Sequence, residues 1–158
     1  MAYSVFISHS TKDAISASAI ADYIRKIPNL DAFLSEETVI AGNLSERLVS
    51  QIKGCDLFMV LYDTNSHSSQ YVQNEIGAAI TEKKSILVLA LDATKPAAML
   101  QGYAYFPLYD SSPSNSISKV YEYVEKQAKG KADSAALLTL LAFLGGLGLG
   151  YFLFGGKK

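Results

Sequence analysis

The sequence predicts an α/β fold in which a five-stranded parallel sheet lies between two layers of helices, followed by one membrane-spanning helix. Strand-like and helix-like segments alternate along most of the 158 residues. Residues 57–62 and 86–91 are continuous apolar runs, which are typical of parallel strands buried on both faces. Residues 135–154 carry no charge and would span about 30 Å as a helix, the thickness of a bilayer core.

Composition excludes several classes of protein. The formal net charge is −1 and no cluster of Lys and Arg occurs, so we expect no nucleic-acid partner. The single cysteine, Cys55, excludes an internal disulfide, and with only two histidines we expect no structural zinc site and no metal ligands. The glycine-rich signatures of dinucleotide-binding folds and of P-loop proteins are absent.

The first half of the chain predicts two strands and two helices. Residues 3–8 form a first buried strand, and Ser10 with Asp13 has the spacing of a capping box that begins a helix over residues 11–27. A short strand over residues 31–34 precedes a polar loop, residues 35–43. A second capping signature, at Asn43 and Glu46, then begins a helix that runs to about Lys53.

The second half continues the alternation. Between the two apolar runs we predict a loop over residues 64–70 and a helix over residues 71–82, whose apolar side chains Val72, Ile76, Ala79 and Ile80 face inward. A fifth strand over residues 105–108 and a last helix over residues 117–128 complete the pattern. Strict alternation implies a helix in each connection between strands, and ligands of such folds bind at the carboxyl ends of the strands. A receiver-like fold is disfavoured, because only Asp63 supplies an acidic residue at the ends of the first and third strands.

Three motifs in order carry a family resemblance. Residues 5–10 (VFISHS), the loop over residues 37–42, and Tyr71 four residues before Glu75 resemble a Toll/interleukin-1 receptor (TIR) domain of the prokaryotic type. The resemblance covers residues 3 to about 128 and implies the TIR variant of the flavodoxin-like fold. It departs at Tyr71, where the family usually has Trp, although Tyr keeps a flat aromatic ring there.

The resemblance implies an activity and a set of site residues. Glu75 matches the glutamate of family members that cleave NAD⁺, so NAD⁺ is expected as substrate, with no separate cofactor. Expulsion of neutral nicotinamide needs no general acid, so one carboxylate that stabilises the developing positive charge can suffice. The candidate substrate-binding residues are Phe6, Ser8, His9, Tyr71 and Gly42. From periodicity, Glu75 is expected at the edge of the core, whereas His67 lies in a Ser-rich loop and is expected to be solvated.

The domain organisation follows from the same patterns. We predict a TIR domain over residues 1–128, a linker over 129–134, a transmembrane helix over 135–154 and a tail over 155–158. The larger lysine cluster before the span predicts a single-pass membrane protein with the TIR domain in the cytoplasm. The stripe of Ala142, Gly146 and Gly150 favours helix self-association.

Two functions from different classes remain open. The first is a membrane-anchored enzyme that converts NAD⁺ to nicotinamide and ADP-ribose, or a cyclic isomer, in immune or antiphage defence. The second is a noncatalytic adaptor that acts by TIR–TIR assembly at the membrane, with Glu75 incidental. A more distant option is a nucleotide sensor whose membrane helix perturbs the bilayer.

Overall fold

A computed structural model describes residues 3–35 and 46–109. Most of the loop predicted at residues 35–43, including Gly42, lies outside these ranges. The helix predicted at residues 117–128, the linker, the predicted span at residues 135–154 and the tail also lie outside them.

The five predicted strands form one parallel sheet. They are β1 (Tyr3–Ser8), β2 (Leu30–Leu34), β3 (Leu57–Tyr62), β4 (Ile86–Ala90) and β5 (Ala104–Pro107). The strand order is β2-β1-β3-β4-β5, and every neighbouring pair is parallel. This is the flavodoxin-like order, and its crevice lies at the carboxyl ends of β1 and β3, from which the chain leaves toward opposite edges of the sheet.

Helices cover both faces of the sheet. The helices are α1 (Ala14–Arg25), α2 (Glu46–Gly54), α3 (Thr64–His67) and α4 (Gln70–Thr81). On one face, α1 packs against Val5 and Ile7 of β1, and on the other face α2 and α4 pack in a second cluster with Phe6. Because successive strand residues point to opposite faces, Ser8 shares the α4 side of the sheet with Phe6.

The first helix begins later than predicted. A 3-10 turn, Thr11–Asp13, precedes α1, and the side chain of Ser10 makes no capping bond to a backbone N–H. Instead the Ser10 hydroxyl donates to Oδ2 of Asp13 over 2.7 Å. The predicted capping box is therefore wrong, because the Ser10 hydroxyl bonds to the Asp13 carboxylate and not to a backbone N–H.

The loop predicted after β3 contains a short helix, α3. Asp63 Oδ1 accepts from the backbone N–H of Ser66 over 2.9 Å, and Ser66 Oγ accepts from the backbone N–H of Asp63 over 2.8 Å. This reciprocal pair is a capping box built with serine in place of glutamate, and it stabilises a helix of only one turn. Polar composition alone therefore gave the wrong prediction for residues 64–67.

The connection between β4 and β5 departs from strict alternation. Between residues 91 and 103 the only helical segment is a 3-10 turn, Ala98–Leu100. Pro96 lacks a backbone N–H, and Gly102 adopts the left-handed conformation at φ 89°, so both residues oppose a continuous helix.

Within residues 3–35 and 46–109, no helix is both long enough and apolar enough to cross a membrane.

Candidate functional site

A buried carboxylate and a buried hydroxyl meet at the carboxyl end of β1. Ser8 is the last residue of β1, and its Oγ donates to Oε1 of Glu75 over 2.9 Å. Both side chains are fully buried, with 0% of each exposed. The predicted position of Glu75 at the edge of the core is therefore wrong, because it lies inside the structure, at the carboxyl end of β1, where ligands of this fold class bind.

Helix α4 delivers Glu75 to this position. The helix begins with Ser69 as its N-cap, whose hydroxyl accepts from the backbone N–H of Val72 over 3.2 Å. Val72, Ile76 and Ala79 are fully buried against the sheet, as predicted. Glu75 shares this inward face because it lies three residues after Val72 and four before Ala79.

Phe6 belongs to the packed core beside the Ser8–Glu75 contact. Its ring is fully buried and stacks on Phe58 of β3, with ring centroids 5.5 Å apart and planes at 10°. The pair forms part of the packed layer beneath α2 and α4. The structure thus places Phe6 in the core under the site, where it supports the strand that carries Ser8.

Two of the remaining candidates, His9 and Tyr71, flank Ser8 and Glu75 along the chain. His9 is half-buried, and its Nδ1 lies 2.8 Å from the carbonyl oxygen of Ser10. Because a carbonyl only accepts, Nδ1 carries the proton in this contact. Tyr71 is half-buried and packs against the core cluster one turn before Glu75. Gly42 lies outside the described residues, so its role stays a prediction.

A pair of acidic side chains lies at the same end of the sheet. Asp13 follows β1 and Asp63 follows β3, and the Asp63 carboxyl is near enough to act on the pKa of Asp13. Burial raises the pKa of Asp13 to about 6; the Ser10 hydroxyl opposes this shift and the Asp63 carboxyl reinforces it. The sequence pattern predicts only Asp63 here, because periodicity does not show the 3-10 turn that brings Asp13 back to the strand end.

A tyrosine and a histidine are linked beside this pair. Tyr62, the last residue of β3, has its hydroxyl 2.7 Å from Nδ1 of His67. The same hydroxyl accepts from the backbone N–H of Ala97 over 3.0 Å. The Tyr62 hydroxyl therefore links His67 of α3 to Ala97. His67 is exposed, as predicted, and its ring also meets the Tyr62 ring edge-on, with centroids 5.9 Å apart.

The connection between β4 and β5 is also bound to α3 through Asp92. Asp92 Oδ2 accepts from the backbone N–H and the hydroxyl of Thr64, over 3.2 and 3.1 Å. Partial burial opposes ionisation of Asp92, but the hydrogen bonds from Thr94 and Thr64 together hold its pKa below the usual value. The β4–β5 connection is therefore fixed against α3 from both sides.

In the ranges 3–35 and 46–109, no group of three or more His, Cys, Asp and Glu side chains is arranged to hold a metal ion.

Comparisons with known proteins identify the family. A model of the TIR domain matches residues 5–121, so the chain belongs to the TIR-domain family. The fold is similar to that in a structure of the TIR domains of the activated Roq1 resistosome, which directly recognises the pathogen effector XopQ. That match has a TM-score of 0.50 and 15% sequence identity, and it covers 99% of this chain and 92% of the other. A comparison with curated protein sequences finds no match.

Proposed function

We propose that this protein is a TIR-domain enzyme that cleaves the bond between nicotinamide and ribose in NAD⁺. The observation that carries the proposal is the position of Glu75, a buried carboxylate at the carboxyl end of β1 in this family's fold. Nicotinamide leaves as a neutral pyridine, so the positive charge moves onto the ribose as an oxocarbenium-like species. A carboxylate in a site that excludes water stabilises such a charge more strongly than one in bulk solvent.

The neighbouring groups suit this chemistry. Tyr71 lies one helical turn from Glu75 and offers an aromatic face on which a flat nicotinamide ring could stack. Water or a group of the substrate itself then attacks the ribose carbon, which gives ADP-ribose in the first case and a cyclic isomer in the second.

Access to Glu75 is part of the proposal. The side chain is fully buried, so NAD⁺ reaches the carboxylate only after surrounding groups separate. Assembly of TIR domains would supply such a trigger, and we propose self-association as the activating event in immune or defence signalling. The predicted membrane segment would raise the local concentration of domains and favour that assembly.

A noncatalytic adaptor is the second candidate function, and the same burial favours it. A glutamate that is fully enclosed and accepts a hydrogen bond from Ser8 is also what a purely structural carboxylate looks like. In that case the TIR surface would recruit other TIR domains and no NAD⁺ would be consumed.

The test is nicotinamide release from NAD⁺ by the full chain in liposomes, across a range of protein densities, with products resolved by mass spectrometry. Glu75→Gln keeps the acceptor for Ser8 and removes the charge, so we expect release to disappear with little change in folding. Glu46→Gln is the matched control, because Glu46 is an exposed carboxylate at the start of α2. Absence of release by the unmodified chain at every density would favour the adaptor.

A further inference from the structure

The hydroxyl of Ser8 has one proton, which it donates to Glu75. A carboxylate accepts but does not donate, so the 2.9 Å contact is a donation from Ser8 Oγ to Oε1 of Glu75. Ser8 therefore cannot donate the same proton to a substrate while the contact persists. This changes the role expected from the sequence, in which Ser8 was a substrate-binding residue.

The donor, Ser8, lies on a strand that is paired on both sides within the sheet. Ser8 pairs with Val60 in the register of β1 and β3, at the centre of the sheet. The acceptor comes from α4, which is fixed to the same sheet by buried apolar side chains. A contact between two such elements holds one oxygen of Glu75 at a fixed point, and this sets the orientation of the whole carboxylate.

From this geometry we infer that Ser8 is a positioning residue, which orients the Glu75 carboxylate toward the ribose so that it can stabilise the developing positive charge. The inference rests on the proposed NAD⁺ cleavage. A buried hydrogen bond to a charged acceptor is stronger than one between neutral groups, and hydrogen bonding to a carboxylate favours the charged form. Ser8 acts through Glu75 and touches no reacting atom.

The first test is the kinetics of Ser8→Ala in the full chain. We expect kcat for nicotinamide release to fall about 10- to 100-fold, the range that corresponds to the loss of one hydrogen bond to a charged group. KM for NAD⁺ should change less than about twofold, because the substrate does not bind to Ser8. The acid limb of the pH profile of kcat should move to higher pH by about one unit. Ser8→Thr, which keeps a hydroxyl, should recover part of the rate.

A matched control separates positioning from general stability. Ser66 is also fully buried and makes hydrogen bonds through its hydroxyl, but in the capping box of α3. Ser66→Ala should lower the melting temperature by an amount similar to Ser8→Ala while leaving the acid limb of the profile in place. Equal effects of the two variants on kcat and on the pH profile would overturn the inference.

One further measurement keeps the inference distinct from the proposed function. The carboxyl ¹³C signal of Glu75 can be titrated by NMR with no substrate present. A midpoint that is unchanged by Ser8→Ala would refute the inference even if NAD⁺ is cleaved, whereas absence of cleavage by the unmodified chain would refute the proposed function alone.

Discussion

At the scale of single residues, Cys55 has a thiol that the structure makes unreactive. It is 4% exposed, its Sγ donates to the carbonyl oxygen of Ile52 over 3.0 Å, and burial raises its pKa to about 11. The thiolate is the reactive form, so almost none is present at pH 8. We expect no reaction of the folded chain with a thiol-specific dye at pH 8, and one thiol per chain after unfolding in urea.

An exposed thiol on the neighbouring helix provides the control. Ser50 is exposed on α2, so Ser50→Cys should add one rapidly reacting thiol to the folded protein. Rapid labelling of Cys55 in the unmodified folded chain would contradict the burial described above.

Asp13 predicts a pH dependence of folding stability. Its pKa is raised from 3.8 to about 6, so the folded state binds this proton more tightly than the unfolded state. The stability gained from that proton is fully present below pH 4 and is lost as pH rises through 6. Because Asp13 is partly exposed, we discount the effect to about 1 kcal/mol. Asp13→Asn should therefore raise the free energy of unfolding at pH 7.5 by about this amount and flatten its change between pH 4 and 6.

Urea unfolding at a series of pH values measures this effect. Asp22→Asn is the control, since Asp22 is an exposed carboxylate on α1 whose ion pair with Arg25 is on the surface. Its effect should stay below about 0.5 kcal/mol at every pH. Destabilisation by Asp13→Asn to the same extent at pH 4 and pH 7.5 would mean that the proton on Asp13 is not stabilising.

At the scale of elements, α1 carries one buried isoleucine and one exposed isoleucine. Ile20 is 1% exposed and Ile15 is 88% exposed, and both lie in this helix. Ile20→Ala leaves a cavity and should lower the free energy of unfolding by about 2 to 4 kcal/mol. Ile15→Ala should change it by less than about 0.5 kcal/mol. Thermal and urea unfolding of the pair measure the difference, and similar losses from both would indicate that another part of the molecule covers Ile15.

Elements with strong apolar patterns could be predicted from the sequence, and elements defined by side-chain hydrogen bonds could not. Strand β3 begins and ends at the predicted residues, because six consecutive apolar residues leave no other interpretation. Helix α3 was missed because its start depends on a reciprocal bond between Asp63 and Ser66. The proximity of Asp13 to Asp63 depends on the turn at residues 11–13. Hydrophobic periodicity and composition do not predict this turn.

Part of the candidate site could likewise be predicted from the sequence, and part could not. Strand alternation and helical spacing bring Ser8 and Glu75 toward each other, so their proximity follows from the sequence once the sheet order is known. The full burial of Glu75 does not follow, because it depends on how closely α4 packs on β1. The stacking of Phe6 on Phe58 likewise depends on the pairing of β1 with β3.

At the scale of the whole molecule, sheet order decides where chemistry can occur. The chain leaves β1 toward β2 at one edge and returns to β3 on the other side, so the carboxyl ends of β1 and β3 border a crevice. Ser8 lies at one of these ends and Tyr62 at the other, with Asp13 and Asp63 beside them. Among the described residues, the buried carboxylate of Glu75 and the carboxyl groups of Asp13 and Asp63 therefore lie at this crevice.

The segment at residues 135–154 predicts membrane attachment of the whole chain. Twenty uncharged residues are long enough to span a bilayer, and Lys157 and Lys158 are the only charges after Asp133. We expect the full chain to sediment with membranes and to resist an alkaline wash, and a chain that ends at Asp133 to remain in the supernatant. Leu141→Arg places a charge near the middle of the segment at a cost of about 2.5 to 3.5 kcal/mol and should weaken insertion, whereas Leu141→Ile should not. Release of the full chain by the alkaline wash would contradict a membrane-spanning helix and would remove the membrane from the proposed route to assembly.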